Sequence, residues 1–179
     1  MAAGVFGYLG YDMVRQMERL APAKPDKIGV PDALFVRPTV MIVFDTVRDE
    51  ISIVTPVRPK VGVAAKAAYE AALGRLDKVV ATLEAPLDHR DRAADVQLLA
   101  QEPASNTPQS RFLDMVERAK EYIRAGDIFQ VVLSQRFTAP FALPAFALYR
   151  ALRRVNPAPF LCFLDFGDFQ IVCSSPEIL

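Results

Sequence analysis

The residues with the most chemistry to offer are a glutamate, an amide and a stiffened loop. Glu177 follows Ser175-Pro176, at the end of the apolar run Phe169-Gln170-Ile171-Val172-Cys173. A catalytic acid needs a glutamate whose pKa is raised by burial, and an apolar approach supplies that setting. The same position also reads as a first-turn glutamate at a helix start, where the helix dipole pushes the pKa the other way. Gln130 lies in the run Asp127–Phe137, whose side chains alternate as in a strand. One face carries Phe129, Val131, Leu133 and Phe137; the other carries Ile128, Gln130, Val132, Ser134 and Arg136. The second face is either an exposed sheet surface or the wall of a pocket. An amide suits a pocket because it donates and accepts hydrogen bonds without adding charge. Asn156-Pro157-Ala158-Pro159-Phe160-Leu161 is held by two prolines. It is either a plain rigid connection or a loop that loses little entropy on binding a ligand.

Scarcity excludes other chemistries. His89 is the only histidine, set in the polar stretch Leu87-Asp88-His89-Arg90-Asp91-Arg92. A histidine-rich metal site cannot be built within this chain, and a serine–histidine triad is not supported. The chain shows no cluster of Asp and Glu with divalent-metal spacing, no G-x-x-x-x-G-K-[ST] loop and no C-x-x-C. Gly4-Val5-Phe6-Gly7-Tyr8-Leu9-Gly10-Tyr11 is glycine-rich without being G-x-G-x-x-G, so it signals tight backbone approach rather than a dinucleotide site. Cys162 and Cys173 sit in apolar β-like runs and read as buried, reduced thiols.

The elements that must position these residues follow from periodicity and punctuation. Asp12 is placed to cap a short helix running to about Leu20. Residues 21–31 hold three prolines and read as irregular. Leu34–Phe44 and Glu50–Val57 flank Asp45-Thr46-Val47-Arg48-Asp49 as a hairpin. Ala64–Glu84 has helical spacing, with Ala68, Ala72, Leu76, Val79, Val80 and Leu83 in one stripe and Gly74 as a weak point. Residues 85–107 read as a linker, with a short strand at Val96-Gln97-Leu98-Leu99. Thr107 caps a second helix with Pro108 at its first position, Phe112, Met115, Val116, Ala119, Tyr122 and Ile123 as its apolar face, and Gly126 as its left-handed end. The strand Asp127–Phe137 follows. Pro144 opens a third helix bearing Phe146, Tyr149 and Leu152, which stops before Asn156-Pro157. Phe160–Phe166 and Phe169–Cys173 form a hairpin around Gly167-Asp168. Pro176 begins a new segment and only three residues follow it, so the chain is expected to be a piece of a longer one.

Bulk properties set the class. At 179 residues the chain fits one domain or two small ones. Hydrophobic residues make up 52% and charged residues 23%, enough to build a core and exclude general disorder. Lys+Arg and Asp+Glu both number 21, which argues against a nucleic-acid binder and a charged membrane-surface protein. No apolar run approaches the roughly 20 residues of a membrane span, and the start lacks a basic signal-peptide region. A cytoplasmic location is expected.

Three stretches resemble anthranilate synthase component I of the chorismate-utilising enzymes. They are the run from Ala119 to Ser134, Asn156-Pro157-Ala158-Pro159-Phe160, and the run from Gly167 to Leu179. Gly7-Tyr8-Leu9-Gly10-Tyr11-Asp12-Met13-Val14-Arg15 resembles the family's N-terminal domain, and the motifs fall in family order. The resemblance implies an α+β fold, here a fragment of a sandwich of large antiparallel sheets flanked by helices. Residues 1–108 would be the later part of the N-terminal domain plus a linker, and 109–179 the start of the chorismate-binding domain. It implies a lyase that takes chorismate and ammonia, needs magnesium, and yields anthranilate and pyruvate in tryptophan biosynthesis. A glutamine amidotransferase subunit would supply the ammonia. Glu177 matches the glutamate proposed as the acid on the leaving C4 hydroxyl. Gln130 matches a position beside the nucleophile, where the water-adding isochorismate synthases carry a lysine base. Pro159, Phe160 and Leu161 match the segment that contacts feedback L-tryptophan, with Phe160 and Leu161 replacing the usual tyrosine and methionine. The family's magnesium ligands, catalytic histidine and chorismate-holding arginine and glycine groups are expected after Leu179. The chain alone is therefore expected to be inactive. The alternatives are the large subunit of aminodeoxychorismate synthase, and a non-enzymatic module that binds tryptophan or a partner.

Overall fold

A computed structural model describes residues 4–87 and 102–175. The expected strand at Val96–Leu99, together with His89 and Glu177, lies outside the described residues. The described chain falls into two compact units. The first holds residues 4–87 with the hairpin tip 164–169, and the second holds 102–163 with 170–175. The fold is α+β as expected, but each sheet among the described residues is a two-stranded pair.

In the first unit β1 (Phe6–Leu9) pairs antiparallel with β2 (Ala33–Val36), Gly7 facing Phe35. The glycines at this edge are required by closeness: a Cβ on Gly7 would lie 1.9 Å from the Leu34 carbonyl oxygen, so only hydrogen fits. A 3₁₀ turn covers Tyr11–Gln16, shorter than the expected helix. Asp12 does not cap it, because Gly10 holds the cap position; Asp12 instead sits in the first turn and pairs with Arg15 at 2.7 Å. The expected strand Leu34–Phe44 is split. Its first part joins β1, and after Pro38 the chain starts again as β3 (Met41–Asp45), which pairs with β4 (Glu50–Val54). Proline has no N–H for a ladder, so a run containing it does not continue as one paired strand. The β3–β4 turn is built by Asp45, whose Oδ1 accepts from the amides of Val47 and Arg48 at 3.0 Å each, and by Asp49 at φ +54°.

The helix α1 (Ala65–Glu84) matches the expected stripe. Ala72 is buried, Ala68, Leu76 and Val79 are half-buried, and Gly74 does not interrupt it. Arg75 Nε on α1 donates to Thr55 Oγ1 at 3.0 Å, and that hydroxyl donates to the Thr39 carbonyl at 2.7 Å. The hairpin tip brings Phe166 and Phe169 within 5.8 and 6.2 Å of the Tyr8 ring.

In the second unit β5 (Ala104–Ser105) pairs with β6 (Phe137–Thr138). Helix α2 (Gln109–Ala125) begins one residue later than expected: Pro108 holds the cap position, and Thr107 makes no capping bond. Gly126 ends it at φ +83°, as its sequence position predicts, and Phe112, Met115, Val116 and Ala119 are half-buried. Helix α3 (Ala145–Val155) starts after Pro144 and stops at Asn156, also as expected. The hairpin of β7 (Phe160–Asp165) and β8 (Gln170–Ser175) turns through Gly167 at φ +88°, with the Phe166 amide donating to the Phe169 carbonyl at 3.1 Å. A positive φ is what the first central position of a two-residue hairpin turn demands.

The expected strand Asp127–Phe137 does not form. Only Phe137 is paired in a strand; the Arg136 carbonyl accepts from the Asn106 amide at 2.9 Å and the Arg136 amide donates to Asn106 Oδ1 at 2.8 Å, but residues 128–134 show no ladder partners among the described residues. The alternating pattern is present, but a strand exists only where a neighbour supplies hydrogen bonds. Phe129, expected on the core face, is 94% exposed. Among the described residues no helix is long and apolar enough to cross a membrane.

Candidate functional site

The candidate residues that the structure describes lie on the loop from α3 into β7, on β8, and on the unpaired run after α2. Asn156 is the pivot of the loop. Its Nδ2 donates to Ser174 Oγ at 3.3 Å, and the Ser174 hydroxyl donates to the Asn156 carbonyl at 3.0 Å. This reciprocal clamp ties the start of the Asn156–Leu161 loop to the last turnless stretch of β8, three residues before Glu177 in the chain. The sequence marks Asn156 only as a helix stop; its hydroxyl partner is 18 residues away and carries no local signal.

Pro159 is exposed, Phe160 is 46% exposed at the first position of β7, and Leu161 is half-buried beside it. Phe163, farther along β7, meets the rings of Phe146 and Tyr149 on α3 at 5.3 and 6.0 Å. Phe146 and Tyr149 stack on each other at 5.7 Å, as their i, i+3 spacing permits. Arg153 lies 5.9 Å over the Tyr149 ring. These aromatic contacts fix α3 against the hairpin and so fix where the loop begins and ends. Gln130 is exposed, on the unpaired run after α2.

The two cysteines are free and half-buried rather than fully buried. Counting back from the Phe166/Phe169 pair puts Cys162 on β7 directly opposite Cys173 on β8. Burial pushes the Cys162 thiol up, and the charge of Cys173 and a thiol hydrogen bond with it push the same way. On α2 the Lys120 ammonium, 2.7 Å from Glu117, draws that carboxyl below its ordinary value. Among the described residues no three His, Cys, Asp or Glu side chains converge to hold a metal ion. The described residues by themselves do not make up a magnesium site.

The glycine turn, the clamp and the hairpin run through a chain whose residues 1–179 match the family model of the chorismate binding enzymes. The chain belongs to that family. It is 49% identical over 180 residues to anthranilate synthase component 1 of Cereibacter sphaeroides, covering 100% of this chain and 36% of that protein. It is 43% identical over 178 residues to anthranilate synthase component 1 of Thermus thermophilus, covering 98% of this chain and 36% of that one. The crystal structure of anthranilate synthase component I from Streptococcus pneumoniae superposes with a TM-score of 0.79 at 35% identity, over 98% of this chain and 39% of that one. The chain thus spans little more than a third of the length of these chorismate-family relatives.

Proposed function

We propose that the chain is part of an anthranilate synthase component I, a cytoplasmic lyase that converts chorismate and ammonia to anthranilate and pyruvate for tryptophan synthesis. The observation that carries this reading is the family match across residues 1–179, together with identities of 49% and 43% to relatives bearing that name. In this reading Glu177 protonates the leaving C4 hydroxyl. Gln130 stands beside the incoming nitrogen, where a neutral amide suffices because ammonia is already a good nucleophile. Pro159, Phe160 and Leu161 contact feedback L-tryptophan, and the hold of Asn156 on Ser174 links that segment to the strand leading to Glu177. The ammonia comes from a glutamine amidotransferase subunit. Magnesium, when bound, would neutralise substrate carboxylate.

The test is turnover of the whole polypeptide that carries these residues, with chorismate, magnesium and ammonium. Anthranilate appearing by its fluorescence, together with equimolar pyruvate, is the expected result. Aminodeoxychorismate without pyruvate would replace this reading by the sister enzyme, and no consumption of chorismate would overturn it.

A further inference from the structure

Two thiols meet on the β7–β8 hairpin. The Phe166 amide donates to the Phe169 carbonyl, so 166/169 is a hydrogen-bonded pair, and stepping two residues at a time along each strand makes Cys162/Cys173 another. Residues directly opposite in an antiparallel pair put their side chains on the same face. In a pair of this kind the Cα atoms lie about 5.5 Å apart, inside the window of roughly 4.4–6.8 Å that a disulfide bridges. The side chains close the remaining distance, since the two thiols already share a hydrogen bond. Phe163, the next residue along β7, packs against Phe146 and Tyr149 of α3. Neighbours on a strand point to opposite faces, so the cysteines occupy the face turned away from that helix. Both are half-buried, neither sealed nor fully exposed, and both are reduced.

We propose that Cys162 and Cys173 form a reversible modification site, a cross-strand dithiol that a small disulfide such as oxidised glutathione converts to an intramolecular disulfide. The thiolate of one cysteine attacks a sulfur of oxidised glutathione, which releases one glutathione thiolate and leaves a mixed disulfide. The second cysteine gives its proton to water, attacks the protein sulfur of that mixed disulfide and expels the second glutathione as thiolate. Two protein thiols are oxidised and one small disulfide is reduced to two thiols. Excess glutathione runs the same steps backwards. The register favours that return. Opposed Cβ atoms in a hydrogen-bonded pair sit about 5.5 Å apart, wider than the roughly 3.5–4.5 Å of a relaxed disulfide, and a strained bridge is the more easily reduced. The site does not depend on the anthranilate reading.

The whole polypeptide is equilibrated in glutathione buffers of varied ratio, quenched by alkylation and cut with an aspartate-specific protease. Asp165 and Asp168 lie between the two cysteines, so a bridge appears as two joined peptides, lighter by two hydrogen atoms than their sum. The joined species should rise with oxidised glutathione and vanish when reduced glutathione is restored. Cys162→Ser and Cys173→Ser should each lose it and carry glutathione on the remaining cysteine instead. In urea, severalfold more oxidised glutathione should be needed, because the folded hairpin is what holds the thiols together. No joined species in the native polypeptide, one that glutathione does not reverse, a remaining cysteine left unmodified in both variants, or joining as easy in urea as in the native state would each overturn the proposal.

Discussion

Cys162 and Cys173 face each other across β7 and β8, and the Cys162 thiol is held above its ordinary value, chiefly by burial. The sign of the consequence follows from linkage. The unfolded thiol ionises first as pH rises, so the native state is favoured while both forms are protonated, and that advantage is lost as pH climbs through the folded value. In urea titrations of the whole polypeptide, stability should fall more steeply above the ordinary thiol range for wild type than for Cys162→Ser. Identical alkaline slopes would contradict this. Glu177 carries the second expectation. On the proposed role as acid toward the C4 hydroxyl, Glu177→Gln in the whole polypeptide should lower kcat by about 10²–10⁴-fold, with a much smaller change in KM because the lost interaction would belong to the transition state. Gln130→Lys would place a base where related enzymes activate water, and hydroxylated product should then appear beside anthranilate in a chromatographic assay. Near-normal kcat in Glu177→Gln would return Glu177 to the role of a helix-start residue.

Among the elements, the β7–β8 hairpin does the most positioning. Its turn depends on Gly167 at φ +88°, a region that costs a residue with a Cβ about 1–2 kcal/mol. Asp165 supports the turn by accepting from the Gly167 amide at 3.0 Å. Gly167→Ala should therefore destabilise the whole polypeptide by about 1–2 kcal/mol in chemical denaturation, and because the turn sets the register it should also disturb the Cys162/Cys173 pairing. A loss below a few tenths of a kcal/mol would mean that the turn relaxes freely. The run Asp127–Phe137 shows the reverse dependence. It has the alternation of a strand but no ladder partner along 128–134 among the described residues, and its apolar side chains stay largely in solvent.

The described residues bury little. Ala72, 3% exposed, is the only buried hydrophobic residue among those described, while Phe129, Val132 and Phe44 lie in solvent. Such surface favours association, and the two-stranded sheets leave unpaired edges that invite it. The 179-residue chain expressed alone should sediment as a mixture of associated species, and it should form no anthranilate above a no-enzyme control. A monodisperse monomer with a cooperative melt would contradict the first expectation, and measurable turnover the second.

What could be read from residue order was whatever a few neighbouring residues decide. Pro108, Gly126, Pro144 and Asn156 punctuate α2 and α3 within one residue of their observed ends, because helix starts and stops are local backbone events. Gly167-Asp168 marks its hairpin for the same reason. Motif order from Gly7 to Leu179 likewise sufficed to place the chain in its family. Other features wait on partners distant in the chain. Leu34–Phe44 has the composition of one strand, and although Pro38 is a local break within it, that its first part pairs with β1 and its second with β4 is decided by those distant partners. Asp127–Phe137 looked like a strand, yet the ladder hydrogen bonds that define one come from another segment, and alternation alone cannot provide them. The Asn156–Ser174 clamp belongs to this second kind. A hydrogen bond across 18 residues is a fact of packing that no local pattern encodes.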